Sequence, residues 1–130
     1  MAKSIRVEIA PGELIDKITI LEIKSERIAD AEKLRNVRTE LAILQVARSE
    51  SVPPSTELTD LARRLKSVNE SLWNIEDDIR ACERAKDFGP RFVELARSVY
   101  HNNDERAAIK RRINELLGST IVEEKAYAAY

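Results

Sequence analysis

Residues 56–82 read TELTDLARRLKSVNESLWNIEDDIRAC. Leu58, Leu61, Leu65, Val68, Leu72, Ile75, Ile79 and Cys82 follow alternating three- and four-residue steps without a miss. Such steps keep one face of an α-helix apolar, so the stretch predicts a long helix with a coiled-coil-like seam. Ser55 or Thr56 can cap its start, directly after Pro53-Pro54. Trp73 lies beside the seam, where its ring can cover the edge of a core.

Glycine and proline mark the limits of the other elements. The 3 glycines and 4 prolines fall at four places, Pro11-Gly12, Pro53-Pro54, Gly89-Pro90 and Gly118. Proline near a helix start and glycine just past its end is the expected asymmetry. Asp87 before Phe88-Gly89-Pro90 reads as a tight turn. The fold expected is all-α: three long antiparallel helices over about 13–50, 56–86 and 90–117 form a bundle, with short extended segments at both ends. One domain spans residues 1–130.

The flanking helices carry less regular patterns. Phe92, Leu95, Val99, Asn102, Arg106, Ile109, Ile113 and Leu116 share one frame, so a polar layer at Asn102 and Arg106 crosses an otherwise apolar helix. Residues 14–23 carry two apolar stripes, which predicts neighbours on more than one side. Arg27 and Asp30 fill a gap in the second stripe. At ~1.5 Å per residue, a helix over 13–50 would run roughly 55 Å and overhang the other two. It therefore bends or breaks near 29–34, or a second copy covers its excess, which predicts a homodimer. Ile5-Arg6-Val7-Glu8-Ile9 alternates as a short strand does, and Thr120-Ile121-Val122-Glu123 is similarly β-prone; the two can pair.

Composition excludes several classes of function. With 22 basic and 23 acidic residues the chain has a net charge of −1, which gives no field for nucleic acid. The run Lys110-Arg111-Arg112 is offset by Asp104, Glu105 and Glu115. No apolar run is long enough for a membrane span or an export signal, so the expected compartment is the cytoplasm. One histidine, His101, and one cysteine, Cys82, leave no paired metal-ligand motif, and Cys82 reads as an inert thiol on the seam. Glu76-Asp77-Asp78 points three ways around a helix and reads as a solvated face. No catalytic residue, cofactor or metal is expected.

The remaining candidates are polar residues inside apolar frames. A buried Arg106 must satisfy its donors, and Asp30, Glu26 and Asp104 are the acidic partners in range of the pattern. Such a pair either fixes helix register or belongs to an anion pocket fed by Lys17, Lys24, Arg27, Arg106 and Lys110. Pro11-Gly12-Glu13-Leu14-Ile15-Asp16-Lys17 places Glu13 and Asp16 at a helix start, where acidic groups complement the dipole. Glu13 and Lys17 can also pair across one turn. The candidate binding residues are thus Glu13, Asp16, Lys17, Lys24, Arg27, Asn103, Arg106 and Lys110.

Residues 11–24, PGELIDKITILEIK, together with Val99-Tyr100, Asn103-Asp104-Glu105-Arg106 and residues 113–118, INELLG, resemble an uncharacterised bacterial family of short all-helical proteins. Its members are often encoded near cell-envelope polysaccharide or glycosyltransferase genes, so the resemblance implies a context without an activity. In architecture the chain is also similar to the all-helical chorismate mutases, which surround a dicarboxylate with arginine and lysine donors. That likeness brings no aligned active-site residues.

Two functions follow. The first is a non-enzymatic helical module that binds a protein partner or itself, which the resemblance links to envelope polysaccharide assembly; it predicts an exposed apolar strip on residues 14–28 and no deep pocket. The second is a small enzyme or anion binder with convergent Lys24, Arg27, Arg106 and Lys110 heads in a concave site.

Overall fold

A break after Arg27 divides the first long stretch. The computed structural model describes residues 3–130 and holds four helices, α1 (Pro11–Arg27), α2 (Ala31–Ser51), α3 (Thr56–Ala85) and α4 (Pro90–Leu116). The expectation of three helices is corrected to four, and the break, over residues 28–30, overlaps the start of the stretch 29–34 where the length of the first helix calls for a bend or break. Asp30 supplies the physical reason. Its carboxylate accepts a hydrogen bond from the Lys33 N–H at 2.9 Å, which caps a new helix. Ile28 and Asp30 are extended, and the Ile28 N–H closes α1 onto the Lys24 carbonyl. Arg27 and Asp30 are therefore exposed junction residues and not members of a buried seam.

The other boundaries follow local chemistry. Pro11 and Pro90 open α1 and α4 at the first helical turn, where a missing N–H costs nothing. Ser55 caps α3 through a 3.1 Å bond from the Leu58 N–H. Lys86 ends α3 in the left-handed region at φ 54°, and the Gly89 N–H donates to the Asp87 carboxylate at 3.0 Å. α4 runs unbroken through Asn102 and Arg106, as the polar-layer reading requires.

Ile15 of α1, Leu58, Leu61, Leu65 and Val68 of α3, and Ile109 and Ile113 of α4 form one buried cluster. α1 touches all three other helices, whereas α2 packs on α1 alone. This explains the two stripes. Leu14, Ile15, Ile18, Leu21 and Ile23 are all buried, so the exposed apolar strip expected on residues 14–28 is absent. Exposed apolar side chains lie elsewhere, at Ile5, Val7, Ile9, Ile43, Val46, Ile121 and Val122. No strand occurs among the described residues, so Ile5–Ile9 and Thr120–Glu123 do not pair. Nor is any helix there long and apolar enough to cross a membrane.

Candidate functional site

The start of α1 lies against the last turns of α4, and the residues between them are polar. Gly12 makes this approach possible: a Cβ there would meet the Lys110 carbonyl oxygen at 2.5 Å and Asn114 Oδ1 at 2.8 Å. The Gly12 N–H is among the first four of its helix and has no intrahelical partner. It donates instead to Asn114 Oδ1 at 2.7 Å.

One turn further on, Asp16 is 1% exposed and fully engaged. Arg106 grips it with two hydrogen bonds, Nε to Oδ1 at 2.9 Å and Nη2 to Oδ2 at 2.5 Å. Asn69 of α3 donates to the same Oδ1 at 2.9 Å and to the Thr19 hydroxyl at 3.0 Å. Thr19 in turn donates to the Asp16 carbonyl. Three helices thus meet at one carboxylate. Arg106 is the predicted buried arginine, but its partner is Asp16 and not Asp30, Glu26 or Asp104. Asp16 sits beyond the first turn of α1, on the face turned towards α3 and α4, so dipole complementarity does not explain it.

Lys110 extends the cluster by one turn. It is 8% exposed, and its Nζ lies 2.7 Å from Glu13 Oε2 and 2.8 Å from Glu123 Oε2. Burial lowers the Lys110 pKa, but hydrogen bonds to Glu123 and Glu13 outweigh it and hold the ammonium above its ordinary value. The hydrogen bond from Lys110 holds the Glu123 carboxyl below the usual range, against a smaller opposing effect of desolvation. The hydrogen bond to Asp16 raises Arg106, again against desolvation. No buried side-chain nitrogen or oxygen among the described residues lacks a hydrogen-bond partner.

Of the eight candidates, Glu13, Asp16, Asn103, Arg106 and Lys110 come together; Asn103 Oδ1 accepts weakly from Arg106 Nη1 at 3.4 Å. Lys17 stays at the rim, exposed and 3.7 Å from Glu13. Arg27 lies apart, donating to Asn74 at 2.6 Å with its guanidinium 5.8 Å from the Trp73 ring centroid. The Lys24 side chain has no hydrogen bond or ion pair within the described residues, and the residue is half-buried. Arg27 is held by Asn74 and Trp73, whereas Arg106 and Lys110 are bound to the carboxylates of Asp16, Glu13 and Glu123, so the four heads Lys24, Arg27, Arg106 and Lys110 line no common pocket among the described residues.

Sequence reading missed Asn69, Thr19, Asn114 and Glu123. Asn69 directly follows the seam residue Val68, and Asn114 follows Ile113, so each borders an apolar stripe at its buried edge. That one-position offset is the signal that was present. Glu123 has none, because a tail lacking periodicity does not show where it lies. Among the described residues no group of His, Cys, Asp and Glu could hold a metal ion. His101 is exposed on α4, where the Tyr130 hydroxyl lies 3.2 Å from its Nδ1 and also donates to Asp104.

An all-helical chain whose first helix is locked to its last by partly buried ion pairs is the class that this geometry defines. The chain belongs to the DUF6165 family of unknown function, whose model matches residues 5–130. It matches no curated protein and no solved structure.

Proposed function

We propose that the protein is a non-enzymatic helical module that docks a protein partner or a second copy of itself. The carrying observation is an open, mainly apolar groove of about 1080 Å³ bounded by Ile5–Ile9, by Ile43, Leu44 and Ala47 of α2, and by Leu116, Leu117 and Ile121, with Lys17 and Glu40 at its edge. Ile43 is 63% exposed on a helix that packs on α1 alone, and Ile5 is 80% exposed. Contiguous exposed apolar side chains rimmed by polar residues are the usual mark of an interaction surface or a binding groove. A role in cell-envelope polysaccharide assembly belongs to this proposal and is supported by the sequence resemblance alone.

The alternative, an anion binder or small enzyme, needs Arg106 and Lys110 to leave Asp16, Glu13 and Glu123. The closed cluster argues against it, since its cations are neutralised within the fold. A thermal-unfolding scan against dicarboxylates, sugar phosphates, nucleotide sugars and nucleotides is expected to be flat. A ligand at about 100 times its dissociation constant would add roughly 2.7 kcal/mol, a shift of several degrees, and such a shift would replace the docking proposal with the alternative. Docking itself is tested by a photo-crosslinking amino acid at Ile43 in producing cells. A discrete protein adduct is expected, lost when Ile121→Asp is added. Absence of any adduct overturns the proposal.

A further inference from the structure

We propose that residues Ile5–Ile9 pair as an antiparallel ribbon with the same residues of a second copy, about a two-fold axis at Val7. The inference rests on the self-association part of the proposed function and names its surface and partner.

Residues 4–10 form neither helix nor strand, Ala10 is extended, and no backbone–backbone hydrogen bond of residues 3–9 occurs among the described residues. Ile5 and Val7 are 80% and 72% exposed. An extended segment that presents unpaired N–H and C=O groups beside apolar side chains is a template for strand addition. Alternation sends Ile5, Val7 and Ile9 to one face and Arg6 and Glu8 to the other.

Charge then selects the register. Centred on Val7, the antiparallel pair sets Arg6 opposite Glu8 twice, Ile5 opposite Ile9 twice, and Val7 opposite itself. A slip of one residue places apolar side chains against charged ones on both faces. A slip of two sets Arg6 against Arg6, or Glu8 against Glu8. Parallel in-register pairing makes both like-charge contacts. Only the Val7-centred arrangement joins every charge to its opposite and keeps one face wholly apolar, and it is isologous, so it closes at two copies.

A free two-stranded ribbon is marginal in water and needs an apolar bed. Each copy supplies one, because the segment forms a wall of the groove that Ile43, Leu44, Ala47 and Ile121 complete. The chain's own β-prone tail borders the groove through Thr120 and Ile121 but forms no strand with the segment, and its Glu123 is held on Lys110.

The test uses the full chain and sedimentation equilibrium from micromolar to near-millimolar concentration. Wild type is expected to dimerise, with Arg6→Glu and Glu8→Arg each weakening the dimer by about tenfold or more. The double variant R6E/E8R restores the pairing and should return the dimer to near wild-type strength. These positions are exposed, and circular dichroism should confirm that the helices persist. A Val7→Cys variant should form an interchain disulfide readily, since facing Cα atoms lie about 4.5–5.5 Å apart. Ile5→Cys should not, because its own copy lies four residues away along the ribbon. A dimer indifferent to the charge swap overturns this pairing while self-association stands. A monomeric wild type overturns it too; an adduct of foreign mass at Ile43 would then leave docking intact, and no adduct at Ile43 would remove both.

Discussion

Asp16 shows how a single carboxylate can organise three helices. It is buried at 1% exposure and accepts from Arg106 and Asn69, so removing it leaves Arg106 with a weak bond to Asn103 and Asn69 with Thr19 alone. Breaking a buried pair from one side typically costs about 3–5 kcal/mol, and the partly exposed Arg106 places this case near the lower end. Asp16→Ala should therefore lower the unfolding free energy by roughly 3 kcal/mol in a urea titration. A loss under about 1 kcal/mol would show that water satisfies Arg106 in the variant. Gly12 makes an independent case. A methyl group there would strike backbone at 2.5 Å, whereas at Gly89 the nearest atom is a side-chain oxygen at 3.2 Å. Gly12→Ala should cost about 1–3 kcal/mol by overpacking, and clearly more than Gly89→Ala. Equal losses would mean that α1 shifts on α4 without strain.

At the scale of elements, α2 stands apart. It packs on α1 only, and Val37 is its one buried residue. Local opening follows contact density, so α2 amides should exchange with solvent well before those of α3 and α4. Val37→Asp should abolish α2 protection in native-state hydrogen exchange while the cluster around Leu65 and Ile113 stays protected. Loss of protection everywhere at once would make α2 part of the cooperative core. The end of α3 offers a change of opposite sign. Lys86 adopts a left-handed conformation that strains any residue with a Cβ. Lys86→Gly should relieve that strain and raise stability by about 0.5–1 kcal/mol after the entropy of glycine is counted, read as a higher melting temperature.

Across the whole molecule, charge ties the C-terminal segment to the bundle. The Glu123 pKa is depressed in the fold, so its contribution is complete above the unfolded value of about 4.3 and is lost as pH falls through the lower folded value. The Lys110 pKa is raised, so its contribution is complete below about 10.4 and is lost as pH rises through the higher folded value. Between these limits the segment should stay docked, and as pH falls through the folded value of Glu123 it should release. Narrowing of the Ala126–Tyr130 amide lines in NMR spectra on acidification would report the release. Glu123→Gln should show narrow lines already at neutral pH, and unchanged lines would show that the Tyr130 contacts with His101 and Asp104 suffice to hold the segment.

What the chain determines by itself is helix, core face and boundary. The three- and four-residue steps from Leu58 to Cys82, the prolines at 11, 53 and 90, and the serine before Thr56 are local signals, and local hydrogen bonding or one-dimensional periodicity enforces each. The polar layer on α4 was legible for the same reason, since Arg106 breaks an apolar frame. Asp30 was legible as an anomaly but read as a seam residue, because an N-cap and a buried carboxylate interrupt a stripe alike. Only tertiary structure decided that Arg106 finds Asp16 ninety positions away, that Asn69 joins them, and that Glu123 reaches Lys110. Those pairings depend on which helix faces lie together, and periodicity names a buried face without naming its neighbour. The same limit hid where apolar surface remains: residues 14–28 looked like a docking strip until three helices covered them, and the uncovered surface passed to Ile5–Ile9 and Ile43.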